Sequence, residues 1–259
     1  MTTGLSDESA LWLEAWPNRL TPLVDLICIP GAGAGASAFR SWHRKISGFI
    51  AMQIVQLPGR ENRIDEAPAS DLNEVVDYIS SAYLESRTAD RPVMVFGHSM
   101  GGVIGFELVR SLQADGIAPT ALVMSSTTPP AAGNKSAELS EAQLKQLLLA
   151  YDSDNQSVVE NDELFESLLP VLQSDFSMLR GHEIASGARL KNIKGHLLSG
   201  SDDPVVPSGS VARWESHFDQ CSTMATLEGG HHFPFREAQD EVIALLNKLA
   251  RQSLGRTVS

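Results

Sequence analysis

The chain has 259 residues, 42% of them hydrophobic and 20% charged, with a formal net charge of -12; that is enough apolar material for one sizeable α/β core. The acidic balance excludes general nucleic-acid binding and attachment to an anionic membrane surface. Its two cysteines, Cys28 and Cys221, supply neither a disulfide framework nor a metal-ligand cluster, and no apolar run approaches transmembrane length.

The acidic start MTTGLSDESALWLEAW has no apolar core of a secretory signal, so a cytoplasmic protein is expected. Trp12 and Trp16 read as anchors of an arm packed on the body. Leu23 to Ile29 is the first core strand, with Cys28 a small core residue. It ends in the small-residue loop Pro30–Ser37, before a helical pattern at Phe39, Trp42 and Ile46. Strand and helix around Gly31, Gly33 and Ala36 approximate a dinucleotide fingerprint, but the next strand, Met52 to Gln56, carries no acidic residue. The better reading is an oxyanion loop, where small residues let a backbone N–H approach a reacting carbonyl.

Leu57 to Arg63 is a turn-rich connection whose Arg60 and Arg63 read as ordinary solvated loop charges; the alternative is contact with an anionic part of a substrate. A helix is predicted over about 71–86, with Asp71 and Glu74 as a capping box and Leu72, Val75, Val76, Ile79 and Tyr83 on one apolar face.

Val93 to Phe96 is a continuous apolar run, the pattern of a strand buried on both faces. Gly97-His98-Ser99-Met100-Gly101 follows, matching G-x-S-x-G, and then helical spacing at Val103, Ile104, Leu108 and Leu112. Strand, tight turn and helix are the context of a nucleophile elbow, in which the flanking positions must be small. A chance match to the pentapeptide alone occurs in roughly one chain in ten of this length; the decisive question is whether an acid and a histidine follow in order.

Ala121 to Ser125 is another buried strand. Residues 129–190 then break the rhythm: a loop around Pro129-Pro130, followed by helical segments with no strand between them. Ser140 and Gln143 predict a capped start, with Leu144, Leu147 and Leu148 on one face. Leu164, Phe165, Leu168 and Leu169 line a second helix, and Pro170 marks the first position of a third. An all-helical insertion of this kind reads as a lid over an active site. Strands return at His196–Gly200 and Thr223–Leu227, separated by a helix at about 209–218, and a last helix runs from about 236 to 251 with Val242, Leu245, Leu246 and Leu249 inward.

The late loops complete the order: Asp203 follows one late strand and His231 follows the final one. Serine, acid, histidine is the α/β-hydrolase order, predicting a mostly parallel central sheet with helices on both faces and a single domain over 1–259. A serine hydroxyl needs a base to take its proton, and a carboxylate to hold that base in the right tautomer. Asp203 is preferred over its neighbour Asp202 because of the Gly200-x-x-Asp203-Pro204 pattern. His231 is preferred over His232 because it directly follows Gly229-Gly230. His98 belongs to the elbow, and His43, His182, His196 and His217 show no metal-binding spacing.

Taken together, IPGAGAGASAFRSW, VQLPGREN, FGHSMGG, LLPVLQSDF, GSDDPVV and EGGHHF resemble the type II thioesterases of polyketide synthases and nonribosomal peptide synthetases. The resemblance implies Ser99, Asp203 and His231 as the triad, with the backbone N–H groups of Ala32 and Met100 as the oxyanion hole and no metal or organic cofactor. It implies hydrolysis of acyl thioesters from the phosphopantetheine arm of an acyl or peptidyl carrier protein, clearing stalled units. Two positions depart from the pattern: Gln173 stands where an arginine is expected, and the His231-His232 pair replaces a single histidine followed by aromatics. A basic patch of Arg40, Arg44, Lys45, Arg60 and Arg63 would offset the acidic chain at the mouth; the alternative is scattered solvated charges. Competing readings on the same sequence are a carboxylesterase or lipase, an acyltransferase, and a non-catalytic carrier-binding protein.

Overall fold

The computed structural model describes residues 9–87, 90–130, 138–185 and 187–255. Among them the strands are β1 (Leu13–Ala15), β2 (Val24–Ile29), β3 (Ile50–Val55), β4 (Val93–His98), β5 (Ala121–Ser125), β6 (Leu190–Gly200) and β7 (Phe218–Leu227), forming one seven-stranded sheet of order β1-β3-β2-β4-β5-β6-β7. Every adjacent pair is parallel except β1 with β3. All residues of β2, β3, β4 and β5 are buried, as their largely apolar sequences require of strands covered on both faces.

The helices are α1 (Ser9–Trp12), α2 (Arg40–His43), α3 (Leu72–Ser86), α4 (Met100–Ala114), α5 (Glu141–Tyr151), α6 (Gln156–Val159), α7 (Asp162–Gly181), α8 (Ser208–Ala212) and α9 (Gln239–Leu254). Side chains alternate across β4: Val93 and Val95 pack with α3 and α4, whereas Met94 and Phe96 pack with α2 and α9. The Asp71 carboxylate caps α3 by accepting from the Asn73 and Glu74 N–H groups, and Ser140 with Gln143 forms a complete capping box on α5.

Strand order places the site. The chain passes from β2 to β3 on one side, then returns to β4 on the other side of β2. The loops after β2 and β4 therefore diverge, leaving a crevice at the carboxyl ends of the strands. The α5–α7 segment, between β5 and β6, has a separate apolar cluster of Leu144, Phe165 and Leu172, and α7 reaches the main core through Met178.

Several sequence expectations need correction. Leu13–Ala15 is an edge strand continuing from the Trp12 anchor, which stacks on Tyr78 with ring centroids 4.8 Å apart. Pro170 lies inside the 20-residue α7 and opens no third helix. A proline there forgoes one intrahelical hydrogen bond, and the helix continues because Phe165, Val171, Leu172, Asp175 and Met178 are buried on either side of it. β6 begins at Leu190, earlier than its apolar core suggests; Asn192 there adopts a positive φ and the register with β7 is irregular. A 3-10 turn at Phe233–Phe235 delays the last helix to Gln239, and that helix runs on to Leu254. Part of the loop expected after Thr127 lies outside the described residues, as does the polar tail beyond Gly255.

Candidate active site

Ser99 sits between β4 and α4 with φ 53 and ψ −119, a positive-φ conformation that non-glycine residues rarely adopt. The turn is held by the Ser99 N–H donating to the Ser125 carbonyl at 2.8 Å, and by the Gly102 N–H donating to the Ser99 carbonyl at 2.9 Å. The flanking glycines are steric necessities: a Cβ at Gly97 would strike the Gly101 carbonyl, and one at Gly101 would strike the Ile29 carbonyl. Met100 opens α4, so its N–H is among those that the helix itself cannot satisfy.

The late loops bring the other candidates together. His231 Nδ1 lies 2.9 Å from Asp203 Oδ2, and both side chains are buried. Asp203 Oδ1 accepts from the Val205 and Val206 N–H groups, each at 2.9 Å. Burial pushes the Asp203 carboxyl up, but the hydrogen bond and charge of His231, with the bonds from Val206 and Ser126, outweigh it and hold the group below the ordinary carboxylate range. Of the two adjacent acids, Asp202 is exposed and bonded to Ser201, whereas Asp203 meets His231.

Ser99 and His231 face one cavity of about 100 Å³, lined also by Ala32, Ala34, Ala38, His98, His232 and Phe235. Two larger surface cavities lie elsewhere and hold none of these residues. His98 is fully buried: its Nδ1 pairs with Ser125 Oγ at 3.1 Å, and burial together with the His231 and His232 rings keeps it far below the ordinary histidine value. Burial likewise lowers His232 to about 4, so both rings are neutral near pH 7. Ala32 lies on the cavity wall, in the expected oxyanion loop. The Gly33 N–H beside it donates to Asp175 Oδ2 at 2.8 Å.

Asp175 was not a sequence candidate, and its partner overturns an expectation. Arg60 is 4% exposed and donates to both Asp175 oxygens at 2.8 Å, and to the Ala34 carbonyl at 3.2 Å. Arg63 is 5% exposed, pairs with Glu66, donates to the Gln56 carbonyl and lies over the Trp12 ring. Neither arginine is a solvated loop charge, and neither belongs to a surface basic patch. Arg40, Arg44 and Lys45 remain exposed, with Lys45 paired to Asp240.

Tyr151 was also missed. The last residue of α5, it lines the cavity beside Ser99 and lays its ring over His231, with centroids 4.3 Å apart and planes 34° apart. Burial, with the Asp203 charge, pushes its phenol up to about 12, so it stays protonated. Nothing local in the sequence marks Tyr151 or Asp175, because each acts on residues far away in the chain.

The thioesterase-domain family model matches residues 24–250 of the chain. The chain belongs to the thioesterase family. This thioesterase is 30% identical over 253 residues to the gramicidin S biosynthesis protein GrsT of Aneurinibacillus migulanus, covering 96% of this chain and 97% of that protein. It is 27% identical to the thioesterase PikA5 of Streptomyces venezuelae, covering 88% and 82% of the two. Among solved structures, the type II thioesterase BorB from the borrelidin biosynthetic cluster superposes with a TM-score of 0.79 at 28% identity, over 93% of this chain and 98% of BorB. YbtT, a type II thioesterase from the yersiniabactin pathway, shares the fold at a TM-score of 0.82 and 23% identity, over 93% and 99% of the two chains. The fold of the thioesterase is thus that of the α/β-hydrolases. Among its described residues no helix is long and apolar enough to cross a membrane.

Proposed function

We propose that this thioesterase edits a polyketide or nonribosomal peptide assembly line by hydrolysing acyl thioesters from the phosphopantetheine arm of a carrier protein. The observation that supports it most directly is the elbow serine and the Asp203-bonded His231 lining one cavity; the named pathways of its relatives support the substrate class.

In this reading His231 Nε2 takes the Ser99 proton as Oγ attacks the thioester carbonyl. The developing oxyanion is received by the Ala32 and Met100 N–H groups. The carbon–sulfur bond breaks, and the thiol leaves with the proton from the imidazolium. A thiol of pKa about 8.5 is a good leaving group, so oxyanion stabilisation matters more than strong protonation. Water, deprotonated by His231, then attacks the acyl-serine ester, and the acid leaves as Ser99 recovers its proton. Asp203 fixes the imidazole tautomer and stabilises its cation. The α5–α7 segment, within 129–190, serves as the lid of a single domain.

The test is mass spectrometry of carrier proteins loaded with different acyl groups, before and after exposure to the enzyme. The expected result is loss of the acyl mass with the phosphopantetheine retained, abolished in Ser99→Ala. Unchanged acyl-carrier, or equal turnover of acyl-pantetheine and the matching oxygen ester, would count against the proposal.

A further inference from the structure

Tyr151 occupies the space that chemistry at Ser99 requires. A thioester carbonyl carbon must come within about 3–3.5 Å of the nucleophilic oxygen, yet Tyr151 lines the same small cavity as Ser99 and its ring covers the adjacent base. The remaining cavity of about 100 Å³ holds roughly three water-sized groups.

What keeps the ring there is visible next to it. α5 ends at Tyr151, and Asp152 turns extended, with φ −163. The Asp152 carboxylate pairs with Arg236 at 2.5 Å, and Asp154 pairs with the same guanidinium at 3.0 Å. Arg236 follows the His231-His232 loop and its 3-10 turn, so this bridge fastens the end of α5 to the element carrying the base. Arg236 is 45% exposed, Asp154 75% and Asp152 12%, placing the bridge at the surface, where salt screens it.

We propose that Tyr151 is the gate and size-determining residue of this site, latched over Ser99 and His231 by the Arg236–Asp152/Asp154 bridge. Acyl thioesters enter only when the latch releases and the ring swings aside, and the bulk of the ring disfavours long acyl groups. The inference rests on the serine-hydrolase reading of the site.

The experiment uses the full chain and two readouts. The first is the rate at which a small fluorophosphonate labels Ser99, with Ser99→Ala as the blank. Tyr151→Ala removes the ring; labelling is expected to quicken at least about ten-fold, as where the open form of the parent is a minor state. Arg236→Gln is expected to quicken labelling likewise, and added NaCl to accelerate the parent enzyme but not this variant. Labelling at the parent rate or slower in both variants overturns the gate. The second readout is kcat/KM on acetyl- and octanoyl-pantetheine. Tyr151→Ala is expected to raise the octanoyl-to-acetyl ratio at least about ten-fold, in line with several methylenes gaining room; an unchanged ratio overturns the size-determining role. Should Tyr151→Ala fail to fold, Tyr151→Leu gives the same comparison. A parent enzyme labelled by the phosphonate but inert on every thioester would sink the proposed function and leave the gate standing. An active parent with indifferent variants would do the reverse.

Discussion

Adding one methyl group at Gly101 would drive a carbon into the Ile29 carbonyl and to 2.6 Å from that of Pro30. These are backbone atoms at the end of β2, where no side chain can swing away. Gly101→Ala should therefore cost at least about 2–3 kcal/mol, read as a lowered urea midpoint; a midpoint within error of the parent would show that the elbow has slack. Asp203 supports a different kind of test, because its carboxyl is held below its ordinary value. A depressed carboxyl contributes stability that is present above its unfolded value near 4 and fades as pH falls through the folded value. The difference in melting temperature between the parent and Asp203→Asn should thus be largest near pH 7 and shrink below about pH 4. At pH 7 the same variant should lose roughly 10³–10⁴-fold in kcat through the wrong imidazole tautomer. A stability gap that stays constant with pH would mean that the carboxylate charge is not what His231 and the two backbone donors hold.

At the level of elements, α7 is tied to the β2 loop by a single carboxylate. Asp175 is fully buried, receives both terminal nitrogens of Arg60 and also accepts from the Gly33 N–H. Leu172, one turn earlier, lies so close that a Cβ at Gly33 would come within 2.9 Å of it. Asp175→Ala leaves a buried guanidinium unpaired and should cost about 3–5 kcal/mol, whereas the double variant Arg60→Met with Asp175→Leu should recover much of that loss. Both should lower kcat more than they raise KM if the carboxylate holds the loop carrying Ala32; additive losses in stability would contradict the pairing. None of this is legible locally, since Arg60 and Asp175 are 115 residues apart and a charged residue after a Pro-Gly turn looks solvated. What can be read is what has local cause. β2, β4 and β5 show as apolar runs because parallel strands are buried twice, and Ser99 shows through its glycines. Asp203 and His231 show because each follows a strand at a glycine-bearing turn. β1 is three residues long and β6 opens with apolar and polar residues mixed as Leu-Lys-Asn-Ile-Lys, so neither carries enough pattern to register.

Taken whole, the molecule has a net charge of -12, and the two arginines of its Leu57–Arg63 connection, Arg60 and Arg63, are spent inside the protein. Two exposed arginines outside the Arg236 bridge, Arg40 and Arg44, follow the wall residue Ala38 in the chain. With an acidic carrier protein as donor, long-range repulsion should slow encounter at low ionic strength, and exposed cations such as Arg40 and Arg44 would oppose it. Raising salt toward physiological strength should therefore increase kcat/KM for an acyl-carrier substrate more than for a neutral acyl-pantetheine. Salt also weakens the Arg236 bridge, but that effect reaches both substrates alike, so their ratio isolates the encounter. Arg40→Glu with Arg44→Glu should lower that ratio several-fold at low salt and converge on the parent at high salt. Equal loss on carrier-bound and free thioesters would place the two arginines in folding or in the acyl site, and would leave docking to some other face of the molecule.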